Sequence, residues 1–145
     1  MSKRQYRKKG RGGGGRFVKL DEWLQRTPAW RSLDPTPRCV LIELMRLYNG
    51  ENNGHIGLSC RQASELVGVS KSTAADAIQK LLERGFIRIT NHASFGWKTG
   101  ARQRISATYA LTHLPVGDAL ATKDFLRWGE TDNVIRLPVK AAARR

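Results

Sequence analysis

The chain predicts an α+β domain, mainly helical, with a small antiparallel sheet. Three observations carry this expectation. Apolar residues recur at three- and four-residue spacing from Val40 to Tyr48 and again from Ala74 to Leu82, which is the helical period. The period changes at Phe86, where Ile87-Arg88-Ile89-Thr90 alternates in and out as a half-buried strand does. Glycines or Asn-Gly pairs stand at 49–50, 53–54, 68 and 85, where each helical pattern stops. At 145 residues and 40% hydrophobic content, the chain holds one modest domain with tails.

The elements follow in order. Phe17-Val18-Lys19-Leu20 reads as a short extended lead-in. Asp21 caps a brief helix through Arg26, and Thr27-Pro28 starts a second, since Thr caps well and Pro suits the first helical position. Trp30 and Leu33 face inward. Asp34-Pro35-Thr36-Pro37 repeats the start signal, and from Pro37 an amphipathic helix of about three turns runs to Tyr48. His55-Ile56-Gly57-Leu58 is a short extended piece. Ser59 and Gln62 form a capping box at the head of a helix that carries Ala63, Leu66 and Val67 and ends at Gly68. Ser70 caps the next helix, Lys71 to Arg84, which Gly85 closes. Strands are expected near 55–58, 86–91 and 103–111, with residues 91–101 as a loop. In the last strand Ile105, Ala107, Tyr109 and Leu111 share one face. Phe125, Leu126 and Trp128 mark one short docking segment.

The charge is uneven. Lys and Arg number 26 against 12 Asp and Glu, a formal net charge of +14. Residues 1–16 hold seven bases and no acid, and residues 136–145 hold four bases and no acid. Eleven of the fourteen net charges therefore lie in two tails, and residues 17–135 are near balance with 15 bases and 12 acids. This divides the chain into a basic glycine-rich arm (1–16), a folded domain (17–115), a docking segment (116–135) and a basic tail (136–145). The arm is read as disordered, from its glycine content. It serves as a solubilising end or as a phosphate-binding arm with Lys8, Lys9 and Arg11. A polyanionic partner is expected.

Composition excludes other classes. No apolar run approaches the ~20 residues of a membrane span, and no signal-peptide core follows Met1. Cys39 and Cys60 lie in no CxxC and near no spaced His pair, which argues against a disulfide scaffold or zinc site and fits a reducing, cytoplasmic setting. His55, His92 and His113 are scattered. The glycine run at 12–15 leads into Arg16-Phe17 rather than a Gly-Lys-Ser/Thr phosphate loop. An enzyme is not expected, nor a cofactor, nor a small-molecule effector.

Residues 59–78 carry the functional expectation. Gly68 permits the left-handed backbone of a sharp turn, Val69 plugs the angle between two helices, and Ser70 satisfies the free amides of the second. Ala74, Ile78, Leu81 and Leu82 form a buried stripe. Ser72, Thr73, Asp76 and Lys80 lie opposite Ile78, and Lys71 sits where the helix dipole favours phosphate. Short hydroxyl side chains let the backbone approach a groove, while Gln79 and Lys80 reach further. Asp76 repels phosphate; it reads a cytosine amino group or holds a nearby Arg. Ser64 stands where a small Ala is usual at a helix crossing, so its hydroxyl needs a partner. The loop from Asn91 to Ala101, followed by Arg102 and Arg104, is the second candidate surface. Lys98, Arg102 and Arg104 suit nucleic-acid backbone; Phe95 and Trp97 either join them or cover the core edge.

This order of helix, short strand, helix, tight turn, helix and hairpin is the plan of a winged helix-turn-helix with a small antiparallel wing sheet. Residues 58–111 resemble the winged helix-turn-helix domains of bacterial and phage regulators, through Gly68-Val69-Ser70-Lys71-Ser72-Thr73 and Leu81-x-x-x-Gly85-Phe86-Ile87. A wider stretch, about 17–128, is similar to small helix-turn-helix proteins of proteobacteria and mobile elements. Some of those resemble the N-terminal domain of phage and plasmid replication proteins. The resemblance implies sequence-specific binding of double-stranded DNA, often as a homodimer, with the second helix in the major groove. A transcriptional regulator is the first expectation. The alternatives are an origin-binding replication accessory or a winged-helix module that holds protein or RNA.

Overall fold

The computed structural model describes residues 15–95 and 104–129. Those residues form an α+β unit of five α-helices and a small three-stranded antiparallel sheet. The helices are α1 (Glu22–Gln25), α2 (Pro28–Arg31), α3 (Pro35–Leu47), α4 (Cys60–Val67) and α5 (Lys71–Glu83). The strands are β1 (Ile56–Gly57), β2 (Ile87–Asn91), β3 (Ser94–Phe95), β4 (Arg104–Ile105) and β5 (Thr108–Leu111). A 3-10 helix, Asp124–Arg127, follows. No helix among these residues is long and apolar enough to cross a membrane.

The first three helices start where the sequence signals, but only one start uses its expected cap. Thr27 accepts from the Trp30 amide at 3.2 Å with Pro28 at the first helical position. Asp21 and Asp34 occupy cap positions without bonding the helix amides. Each carboxylate is taken by a cation instead, Lys19 at 2.9 Å for Asp21 and Lys80 for Asp34. Helix α3 also begins at Pro35, two residues before the start of its apolar pattern.

The core lies between α3, α4, α5 and one face of the sheet. Val40, Leu41 and Leu44 of α3 meet Ala63 of α4, Ala74 and Leu81 of α5, and Ile87 and Leu111 of the sheet, all fully buried. Of the apolar residues carried by α4, Leu66 is 44% exposed, so the helix presents only Ala63 and Ser64 as buried residues.

In the sheet, β5 is central, with β1 and β2 antiparallel on either side. The expected strand over 103–111 is broken. Arg104–Ile105 pairs with Ser94–Phe95, inside the expected loop, to form a separate two-stranded ladder, and Ser106-Ala107 joins neither sheet. The register shifts between Ile89 and Asn91. At that bulge the Thr90 hydroxyl bonds Gly54 O and Thr108 Oγ1, while Ala107 O accepts from the Leu58 amide at 3.2 Å. The shift lies at the Thr108 end of β5, and on the far side of the break Ile105 is 48% exposed rather than on the core face.

Asn53 ties the loop after α3 to the sheet. Its buried amide donates to Leu111 O, Leu114 O and Pro115 O, and its oxygen accepts from the Leu111 amide at 2.7 Å. Asn49 and Asn52 close the preceding turn through side-chain bonds to its amides. The Asn-Gly turns are thus structural. In the C-terminal segment Phe125 is fully buried and Trp128 packs against the core, whereas Leu126 is exposed. Arg16, at the end of the expected arm, donates to Arg46 O and Tyr48 O at the C-terminus of α3.

Candidate nucleic-acid interface

Helices α4 and α5 are joined by three residues, and each bond at the junction follows from local chemistry. Ser59 Oγ accepts from the Gln62 amide at 3.1 Å, and Gln62 Oε1 accepts from the Ser59 amide at 3.0 Å, a reciprocal capping box. Gly68 ends α4 in the left-handed region at φ 76°. The Gly68 and Val69 amides both donate to Ser64 O, at 2.9 and 3.1 Å. Ser64 finds the partner its burial requires, donating to Arg61 O at 2.7 Å. Ser70 Oγ then accepts from the Thr73 amide at 3.2 Å and opens α5.

Helix α5 buries Ala74, Ala77, Ile78 and Leu81. With Leu82 packed beside them, this is the expected stripe plus Ala77. Ser70, Lys71, Ser72 and Thr73 are exposed together at the N-terminal end. Their hydroxyls are clustered: Ser70 Oγ lies 3.0 Å from Ser72 Oγ and 2.8 Å from Thr73 Oγ1. One turn further, Asp76 and Gln79 are exposed. Asp76 makes no ion pair among the described residues. Gln79 Nε2 donates to Glu83 Oε1 at 3.3 Å. The outermost line of α5 therefore carries Asp76 and Glu83. The cation of its first turn is Lys71, at the end where the helix dipole favours anions.

Lys80 is brought elsewhere. Its ammonium donates to Asp34 at the start of α3, on the flank of α5 that faces α2 and α3. The Asp34 carboxyl is held below the usual carboxylate range by the hydrogen bond from Lys80 first, then by the charges of Lys80, Arg84 and Arg38. Arg84 Nε donates to Ser32 Oγ at 3.0 Å, and Arg38 Nη2 donates to Trp30 O at 3.1 Å. Sequence reasoning did not connect Arg38 and Arg84 with Asp34. The one local signal was the Lys80–Arg84 spacing of four, since Asp34 lies 46 residues away.

Of the second candidate surface, β3 and β4 form the base of a hairpin, with the Arg104 backbone opposite Phe95. Lys98, Arg102 and Trp97 lie outside the described residues, as do Lys8, Lys9 and Arg11. Among the described residues no group of three His, Cys, Asp or Glu side chains is placed to hold a metal. Comparison with known protein families, curated proteins and solved structures finds no match to this chain.

Proposed function

We propose that the chain is a winged helix-turn-helix protein that binds double-stranded DNA in a sequence-specific manner, as a transcriptional regulator of a bacterium or mobile element. One observation carries this reading. A doubly capped helix pair with a left-handed glycine at its turn is followed by β2, which pairs antiparallel with β5, with β1 completing the sheet. In this reading α5 lies in the major groove. Ser72 and Thr73 meet base edges, and Asp76 accepts from a cytosine amino group. Ser70, Lys71 and the hairpin cations Lys98, Arg102 and Arg104 hold phosphate. Gln79 and Lys80 sit further along the helix, and the tails supply the long-range attraction. The partner is duplex DNA, with a homodimer matching two half-sites.

Asp76 and Glu83 on the outward line of α5 favour a second reading, a winged helix that holds a basic protein partner. Selection of duplexes from a random pool, followed by footprinting across the chain's own genomic neighbourhood, separates the readings. Enrichment of a defined site over a promoter supports the regulator. Sites over iterated origin repeats support a replication accessory, and no enrichment favours the protein partner.

A further inference from the structure

We infer that the α2–α3 corner is a second phosphate-contact surface for duplex DNA, with Asp34 as its built-in counter-ion. This rests on the DNA-binding reading above and extends it off the recognition helix. The corner is the short turn between Arg31 and Pro35, anchored by buried Leu33. Three cations gather there, Arg38, Lys80 and Arg84, and Arg31 stands exposed at the last position of α2. Two acids oppose them, Asp34 through Lys80 and Glu83 at 3.5 Å from Arg84. The surface keeps an excess of positive charge.

Two of the guanidinium groups are braced. Arg38 bonds the Trp30 and Arg31 carbonyls and lies 5.3 Å from the Trp30 ring centroid. Arg84 bonds Ser32 and lies 4.9 Å from the Trp128 ring centroid. A braced guanidinium loses less side-chain entropy when it takes a phosphate. Arg84 keeps 19% of its side chain exposed and Arg38 is half-buried with its Nε shielded from solvent, so these two present only the edges of their forks while Lys80 is the freer contact. Thr73, Lys80 and Arg84 follow one line of α5 at spacings of seven and four. From Thr73 to Arg84 that line is about 16 Å long, the axial rise of about five base pairs. It leads from the helix start, where Ser70 and Lys71 hold phosphate in the proposed mode, to the corner, so one backbone strand can follow both.

Asp34 gives the surface its restraint. In the free protein it holds Lys80, and an incoming phosphate must displace it. It therefore weakens binding to every duplex by a similar factor, whatever the sequence. Glu51 is the control for net charge: it is exposed, forms no ion pair among the described residues, and lies beyond the far end of α3, about 20 Å away along the helix.

The test measures binding of random-sequence and selected duplexes by the full chain as wild type, Asp34→Asn, Glu51→Gln and Arg31→Gln, over a salt series, with melting temperature alongside. Asp34→Asn should tighten binding to both duplexes about three- to tenfold at low salt and steepen the salt slope by about 0.9. Glu51→Gln should change it by less than about twofold. Arg31→Gln should weaken both duplexes equally. If Asp34→Asn folds and behaves like Glu51→Gln, or binds more weakly than wild type, the inference is overturned. Should Asp34→Asn fail to fold, Arg31→Gln decides: unchanged affinity overturns the inference. A wild type that binds no duplex overturns the DNA reading itself, which is a separate outcome.

Discussion

Phe125 stacks on Phe86 with ring centroids 4.8 Å apart and planes 9° from parallel, although 39 residues separate them in the chain. Trp23 also stacks on Phe125 at 5.8 Å, and Trp30 meets Phe86 edge-on at 6.2 Å. This aromatic series joins the first two helices, the end of α5 and the C-terminal segment. Phe125→Ala should therefore cost about 3–5 kcal/mol, as deletion of a buried aromatic ring does. Thermal or denaturant unfolding measures it. A cost below about 1 kcal/mol would mean that the segment is not part of the cooperative unit.

Two glycines should respond differently to alanine. Both have positive φ, 76° at Gly68 and 79° at Gly85. A Cβ on Gly68 meets nothing within 4 Å, so Gly68→Ala should cost only the left-handed strain, about 1–2 kcal/mol. A Cβ on Gly85 would lie 2.8 Å from Asp124 and 2.9 Å from the Phe125 backbone nitrogen. Gly85→Ala should be clearly worse and should expose Phe125, seen as a larger drop in melting temperature and a change in tryptophan fluorescence. Equal losses at the two sites would refute this.

Much of this fold is legible in the sequence where the controlling bond is local. Ser59 with Gln62, Gly68, and Ser70 with Thr73 each involve residues within four positions, and residue type alone indicates the geometry. The misses share a different cause. Asp21 and Asp34 have the right type and place for caps, yet cations outside the helices they would cap take their carboxylates. Thr90 bonds Gly54, 36 residues back, at a register shift opposite the Thr108 end of β5, and alternation alone gives no sign of that contact or of the break at Ser106-Ala107. Asn53 bonds across 58 to 62 positions, so its turn-like surroundings conceal a buried role. At the candidate site the first turn of α5 was readable, whereas the pairing of Lys80 was not.

His113 should make stability depend on pH. Its Nδ1 is buried without a hydrogen-bond partner among the described residues. Burial lowers its pKa from the ordinary imidazole value, and the charge of Asp21 opposes this in part. The unfolded chain thus takes up the proton first. Stability should be complete above about pH 6.5 and should fall as pH drops from there through the folded-state pKa. Unfolding midpoints between about pH 7.5 and 5 check it, with His113→Leu as the variant that flattens the curve. A wild-type curve already flat over that range would rule it out.

Removing residues 1–14, which keeps Arg16 on the end of α3, takes away six bases and no acid. Binding to duplex DNA should weaken by similar factors for all sequences, and the salt slope should become shallower by about 0.9 for each phosphate that the arm no longer neutralises. Specificity, the ratio of selected to random duplex, should not move. Affinity retained while sequence preference disappears would argue against this division of labour between arm and helix.

DNA recognition, on this reading, stands or falls with the first turn of α5 meeting base edges. The direct measurement sets wild type beside the Ser72→Ala, Thr73→Ala double variant on a selected duplex and a scrambled one at a single salt concentration. Both side chains are exposed, and the Ser70 hydroxyl still caps the helix, so the melting temperature should hold. Ile78→Ala is the contrast, expected to cost about 2–5 kcal/mol of stability and to lose binding only as it unfolds. The double variant should lose about 1–3 kcal/mol of discrimination, roughly five- to 150-fold in the ratio of the two affinities. A double variant that folds and discriminates as wild type does would show that this turn does not read sequence.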